Sequence, residues 1–214
     1  EKQNIFELNK IKFLQDAIIN LDKFKNKKNN SVLKINSEKK LILSVGRLTK
    51  QKNYKYLVNE FKNFLKYSDD YNLMILGDGE EKNELNKLIK NLNLQDRVHL
   101  IGRVENVYEY MKQADVFVLS SLWEELGFVI VEAAFNNLFV ISSDCPNGPK
   151  EFIDKNKCGI LFQSNSFNSL TEAMIKFLKI ENTFNVKLNA KKKSSLYTKF
   201  NHHLELTKIL QNEN

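Results

Sequence analysis

Glu124 and Glu132, eight positions apart, are the residues of this sequence best suited to chemistry. Glu132 is set into the apolar run Phe128-Val129-Ile130-Val131-Glu132-Ala133-Ala134. A carboxylate with such neighbours either turns to solvent or accepts hydrogen bonds from a dedicated partner. Three chemistries suit the pair. Two acids can flank a glycosidic bond for hydrolysis, paired carboxylates can hold Mg2+, and each can accept hydrogen bonds from sugar hydroxyls. On a single helix the two residues would stand about 12 Å apart along the axis. With Glu124 in a loop and Glu132 on a helix, both can reach one cavity. The residue types leave these readings open, and a solvent-facing Glu132 beside them. Trp123, next to Glu124, reads first as a packing residue, although aromatic rings often accompany sugar sites.

The second group is basic. Gly46-Arg47 and Lys52 follow an apolar run and precede a helical pattern. Glycine permits close backbone approach, Arg offers a forked donor to phosphate oxygens, and Lys adds a point charge. The spacing is neither a Walker loop nor a Gly-x-Gly-x-x-Gly fingerprint. A basic surface loop is the bland alternative. Gly77-Asp78-Gly79 reads as a tight turn in which Asp78 caps the next helix. Gly102-Arg103-Val104 reads as a loop whose backbone could bond a flat base.

These groups need elements to position them. Short apolar runs predict strands over 40–46, 71–76, 97–101, 115–119, 138–142 and 159–162. Helical spacing predicts helices over 53–67, 80–92, 107–113, 129–136, 168–178 and 196–210. A partial helical pattern covers 4–17, and 24–37 reads as a lysine- and asparagine-rich linker. Strands that are apolar throughout and alternate with helices predict a doubly wound parallel α/β sheet, Rossmann-like. In such sheets ligands bind beyond the carboxyl ends of the strands. Those ends carry Gly46-Arg47, Gly77-Asp78-Gly79, Gly102-Arg103, Ser120-Ser121 with Glu124, and Asp144 to Pro149. The rim therefore suits an anionic, hydroxyl-bearing ligand.

The 214 residues, 42% hydrophobic and 28% charged, are those of an ordinary globular chain with no apolar run long enough to span a membrane. The net charge of +7 admits an anionic membrane surface, nucleic acid or an anionic small molecule as partner. Lysines crowd residues 23–28 and 191–193, which read first as solvated helix ends and linkers. Cys145 and Cys158 lack metal-ligand spacing and read as free thiols of a reducing compartment. His202 and His203 read as exposed helix residues, and no metal site is expected.

The ordered set Ser44-Val45-Gly46-Arg47-Leu48-Thr49-Lys50-Gln51-Lys52, Leu76-Gly77-Asp78-Gly79, Val98-His99-Leu100-Ile101-Gly102, Ala114 to Ser121, Glu124 through Glu132-Ala133, and Asp144 to Glu151 resembles the nucleotide-sugar-binding half of GT-B glycosyltransferases, in particular the large retaining family 4. The resemblance covers about residues 38 to 180. It implies the C-terminal half of a GT-B fold, with 1–37 as a hinge segment and linker and 38–214 as the donor-binding domain. The family's paired glutamates fall on Glu124 and Glu132. The resemblance implies that Glu124 lies by the donor sugar and that Glu132 bonds the ribose hydroxyls. It implies that Arg47 and Lys52 hold the diphosphate, and that Gly102 and Arg103 meet the base. Backbone amides of Gly127, Phe128 and Val129 would meet phosphate or sugar.

The implied activity is retaining transfer of a sugar from a UDP- or GDP-sugar to a glycan or lipid-linked acceptor, as in bacterial cell-surface polysaccharide assembly. Glu124, Arg47 and Lys52 would be the catalytic residues. No metal cofactor is expected, because protein cations supply the charge. The implied setting is the cytoplasm, with a peripheral contact to the anionic inner face of the membrane. The implied partner is an acceptor-binding domain with no counterpart here, without which this domain would be inactive; nucleic acid is not a partner. A non-catalytic basic module that binds an anionic membrane or nucleic acid is the alternative. Two departures stand out. Glu125-Leu126-Gly127 follows the first glutamate where Gly-Phe-Gly is usual, and Asn53 stands where a glycine commonly ends the basic motif.

Overall fold

A computed structural model describes residues 12, 14–21, 38–125 and 127–211. Six parallel strands form one sheet: β1 (Lys40–Val45), β2 (Tyr71–Leu76), β3 (Val98–Gly102), β4 (Val116–Leu119), β5 (Phe139–Ser143) and β6 (Ile160–Phe162). Their order across the sheet is β3-β2-β1-β4-β5-β6. The chain winds outward from β1 in one direction, then returns and winds outward from β4 in the other. The order reverses between β1 and β4, where Ile42 pairs with Val116 and Leu43 with Phe117. A crevice opens there at the strands' carboxyl ends.

Both sheet faces are buried, and strand alternation divides the core in two. Ile42, Val116 and Val118 point to one side and pack with Leu57, Phe61 and Phe64 of α1 (Tyr54–Phe64) and Leu170 and Met174 of α6 (Ser169–Leu178). Leu43, Phe117 and Leu119 point to the other. They pack with Tyr108 and Met111 of α3 (Val107–Met111) and with Ile130 and Val131 of α4 (Phe128–Phe135). Burying each such side chain stabilises the fold by roughly 1.5–3 kcal/mol. Glu60, 3% exposed on α1, accepts hydrogen bonds from Asn168 and Thr171 N–H, so its charge is met at the start of α6.

The expected strands appear within a residue or two, and 71–76 coincides with β2. α2 (Lys82–Asn91) and α8 (Lys199–Gln211) are shorter than expected. α5 (Pro149–Ile153) is a single turn. α7 (Phe184–Ser195) was not expected. It docks on α4 and buries only the small Ala190 and Ser194, so no large apolar period announces it. Of the helical pattern expected over 4–17, residues 1–11 and 13 lie outside the described residues, and 14–17 are not helical. The linker expected over 24–37 also lies outside the described residues.

Asp78 does not cap α2, which starts after Glu81. Its carboxylate accepts from the adjacent Gly79 N–H instead. The glycines around it are there for proximity: a Cβ on Gly77 would sit 1.8 Å from the Gly46 carbonyl, and one on Gly79 2.5 Å from that of Leu48. The β2 loop thus lies directly against the β1 loop, with Leu48 N donating to Asp78 O at 3.0 Å and Glu81 N to Leu48 O at 2.9 Å.

Candidate functional site

Two cavities open side by side at the reversal point and share a wall of Val45, Gly46 and Arg47. The first, about 500 Å³, is also lined by Leu76, Gly77, Asp78, Arg103, Val104 and Val107. Its floor is mostly apolar backbone and side chain, with Arg47 and Arg103 as its cations, which suits a flat heterocycle. Gly102 stands just outside the lining. It holds φ +87 at the end of β3 and its carbonyl accepts from Gly77 N–H at 2.8 Å. The second cavity, about 430 Å³, is lined by charge: Arg47, Lys52, Glu124, Glu125 and Glu132, together with Gly127, Phe128 and Val129.

The loop that carries the cations is fixed from several directions. A single 3-10 turn, Lys50–Lys52, ends at Asn53, whose φ of 54 is left-handed. Asparagine tolerates that conformation better than most residues, which explains why it can replace glycine there. Ser120 Oγ donates to Lys52 O at 2.7 Å, and Leu122 N to Gln51 O at 2.8 Å. The basic loop after β1 and the acidic loop after β4 are therefore one hydrogen-bonded unit.

That unit contains an ion pair. Lys52 Nζ lies 2.6 Å from Glu124 Oε1, with the side chains 14% and 8% exposed. Ser121 Oγ donates to the same carboxylate oxygen, and Ser143 Oγ donates to Ser121 O at 2.7 Å. Glu124 is thus oriented by a cation and a hydroxyl, the hydroxyl's own residue being anchored to β5. Glu132 is half-buried on α4, and its Oε1 accepts from the Tyr108 hydroxyl at 3.0 Å. Burial first, then the charge of Glu132, pushes the Tyr108 phenol far above its ordinary range, so it stays a donor. Between the two acids, Gly127 takes a left-handed turn with φ +62. α4 then begins at Phe128, and Phe128 and Val129, whose N–H groups lack intrahelical partners, line the cavity.

The structure brings Gly46, Arg47, Lys52, Glu124, Gly127, Phe128, Val129 and Glu132 together around the second cavity, and Arg103 to the first. Trp123 does not pack as expected: it is 50% exposed, and its carbonyl accepts from Gln51 Nε2. Tyr108 has no signal in the sequence and Ser121 is placed at the rim without a role, since each meets its carboxylate only after folding. Glu151, on α5, accepts from Gly148 N–H at 2.9 Å and serves as part of a cap. Glu125 is exposed and borders both the second cavity and a neighbouring one of about 480 Å³ lined by Gln15, Phe152, Lys193 and Tyr197. Cys145 and Cys158 are buried thiols, and burial raises the pKa of each. No helix among the described residues is long and apolar enough to cross a membrane.

Solved structures share this architecture. The pneumococcal O-GlcNAc transferase GtfA, in complex with UDP and GlcNAc, superposes with a TM-score of 0.73 at 20% identity over 81% of this chain and 36% of that one. Anabaena HepE in complex with UDP gives 0.72 at 20% identity, over 82% of this chain and 49% of that one. Among curated proteins, an uncharacterized glycosyltransferase of Methanocaldococcus jannaschii is 44% identical over 53% of this chain and 28% of its own length. The N-acetylgalactosamine-N,N'-diacetylbacillosaminyl-diphospho-undecaprenol 4-alpha-N-acetylgalactosaminyltransferase of Campylobacter jejuni is 35% identical over 63% of this chain and 36% of its own length. The chain therefore spans about a third of the length of such relatives. The family described as Glycosyl transferases group 1 matches residues 25–194. With that match over most of its length and the six-stranded parallel sheet beneath it, this chain belongs to the group 1 glycosyl transferases.

Proposed function

We propose that this chain is the donor-binding part of a retaining, family 4 type glycosyltransferase that takes its sugar from a UDP- or GDP-sugar. The observation that carries the reading is the pair of cavities joined at Gly46-Arg47, one mainly apolar and one charged. The base enters the first, against Val45, Leu76, Val104 and Arg103. The diphosphate crosses the shared wall, held by Arg47, Lys52 and the start of α4. Glu132 bonds the ribose hydroxyls and Glu124 the sugar.

The chemistry is electrostatic. As the glycosidic bond to the nucleotide breaks, negative charge grows on the diphosphate. Arg47, Lys52 and the α4 N–H groups line the cavity where that charge develops, Lys52 being held there by Glu124, and stabilising the charge lowers the barrier. The reading therefore asks for no metal ion. Residues 38–214 form the donor-binding unit, and the acceptor is a glycan or lipid-linked saccharide bound mainly by residues outside this chain. The chain by itself binds donor weakly and transfers little. Curated relatives that act on undecaprenol-diphosphate-linked acceptors or in amylovoran biosynthesis support the acceptor class.

The setting is cytoplasmic, in keeping with two buried thiols. A peripheral contact with anionic lipid is supported by exposed Phe184, Lys191 and Lys192 on α7 and exposed Lys199 and Phe200 on α8. Titration with UDP, with GDP and with single-stranded nucleic acid at two salt concentrations tests the reading. Saturable UDP or GDP binding is expected. Polyanion binding with a steep salt dependence and no nucleotide binding would overturn it in favour of a basic, non-catalytic module.

A further inference from the structure

Tyr108 is 2% exposed on the short helix α3 and is fixed at both ends. Its N–H donates to Asn106 Oδ1 at 3.1 Å, in the cap that starts the helix. Its hydroxyl donates to Glu132 Oε1 at 3.0 Å. The same phenol shares a hydrogen bond with the backbone of Asn20, at the end of the segment 14–20. That segment lies against the domain although it belongs to no sheet or long helix. Ile19 is 1% exposed and shares a core with Tyr108, Ile130 and Val131. Its N–H donates to Tyr197 O at 3.0 Å, and Ile19 bridges to Thr198. Farther back, Gln15 O meets His202 Nδ1 at 2.6 Å, so the nitrogen carries the proton and donates.

We propose that Tyr108 is a positioning residue that holds Glu132 at the cavity and links it to the chain at Asn20, so that occupation of the nucleotide site and the seating of residues 15–20 are coupled. The inference rests on the reading of Glu132 as the ribose acceptor. A carboxylate has two oxygens and about four acceptor positions, so one oxygen can take the phenol while the carboxylate also takes ligand hydroxyls. A ligand that fixes the carboxylate fixes the phenol, and through it the Asn20 backbone. Linkage is reciprocal: whatever seats residues 15–20 more firmly also tightens nucleotide binding. Because 14–20 lies upstream of the sheet, the coupling runs between the donor site and the stretch of chain that leads into the domain.

The test uses this chain, Tyr108→Phe and Glu132→Gln, with hydrogen exchange read over residues 15–20 and UDP and GDP titrated into each. Without ligand, Tyr108→Phe exchanges faster over 15–20, by about fivefold to tenfold for the lost hydrogen bond to the backbone, whereas Glu132→Gln, whose amide oxygen still accepts from the phenol, exchanges as the unmodified chain does. With saturating nucleotide, exchange over 15–20 slows in the unmodified chain and not in Tyr108→Phe, whose nucleotide affinity falls by about fivefold. A merely structural tyrosine would change melting without changing the ligand-dependent protection. Equal protection of 15–20 by nucleotide in Tyr108→Phe and the unmodified chain, or unchanged affinity in Tyr108→Phe, overturns the coupling. Failure of the unmodified chain to bind UDP or GDP sinks the donor reading instead. The ligand-free arm then decides the link by itself: unchanged exchange over 15–20 in Tyr108→Phe overturns it.

Discussion

Lys52 and Glu124, 72 positions apart in the chain, form a 2.6 Å ion pair almost out of reach of solvent. The pair joins the cationic loop after β1 to the acidic loop after β4. It also places the residue assigned to the diphosphate in contact with the residue assigned to the sugar. A ligand that spans both must share Lys52 with Glu124. Breaking one side should therefore be costly and breaking both much less so. Lys52→Met strands a carboxylate that is 8% exposed and should destabilise the chain by about 3 kcal/mol. Adding Glu124→Gln should restore most of that loss. Chemical denaturation of the two single variants and the double variant measures the coupling; additive losses would show that the pair carries no interaction.

The contact between the β1 and β2 loops predicts a contrast among glycines. Gly77→Ala puts a methyl 1.8 Å from the Gly46 carbonyl at φ +143, where the neighbour is backbone and cannot yield. It should cost more than about 3 kcal/mol and open the apolar cavity. Gly102→Ala has φ +87 but nothing within 4 Å of the added carbon, so only the backbone penalty of about 1–2 kcal/mol remains. Melting temperatures of the two variants should fall in that order.

His99 predicts a pH dependence. It lies on β3, half-buried, and its Nε2 is buried without a hydrogen-bond partner. Burial lowers its pKa, against a smaller opposing pull from Asp96. The unfolded chain then takes up a proton near 6.5 while the folded chain still resists it. The contribution of neutral His99 to stability is complete above that pH and is lost as the pH falls below it. Melting between pH 7.5 and 5.5, about a unit either side of the ordinary value, should show a decline that His99→Gln flattens. The same slope in both proteins would assign it to other groups.

Much of the fold is legible in the sequence, for particular reasons. β2 reads directly because both of its faces are buried and Tyr71 to Leu76 carries no charge. The rim residues read because strands that end in glycine place them there. Asn53 looked like a departure, yet its left-handed φ of 54 is the property glycine would supply. What did not read was pairing at long range. Nothing in the spacing links Tyr108 to Glu132, or Ser121 and Lys52 to one oxygen of Glu124. Such contacts depend on how β1, β4 and α3 are placed in the sheet, and no local period encodes them. α7 was missed because Ala190 and Ser194 dock it without a large apolar stripe. Trp123 departs from the expected packing because ring size argues for burial, while its loop leaves it half exposed.

Glu125 lines both the charged cavity and the neighbouring one. It takes no part in the Lys52–Glu124 pair. Glu125→Gly should leave nucleotide affinity within about twofold, as for an exposed side chain with no ion pair to Arg47 or Lys52. Calorimetric titration with UDP and GDP checks this. A larger loss would move Glu125 into the nucleotide site.

The central claim is that two carboxylates in one cavity divide a nucleotide-sugar between them. Free nucleotides and their sugar conjugates titrated into the unmodified chain, Glu132→Ala and Glu124→Ala test it most directly. Glu132→Ala should weaken free nucleotide and nucleotide-sugar alike, by about tenfold for charge-assisted hydrogen bonds. Glu124→Ala should weaken only the sugar-bearing ligand, and free nucleotide should bind no less tightly because Lys52 is released. Equal losses of free nucleotide in both variants would contradict the account.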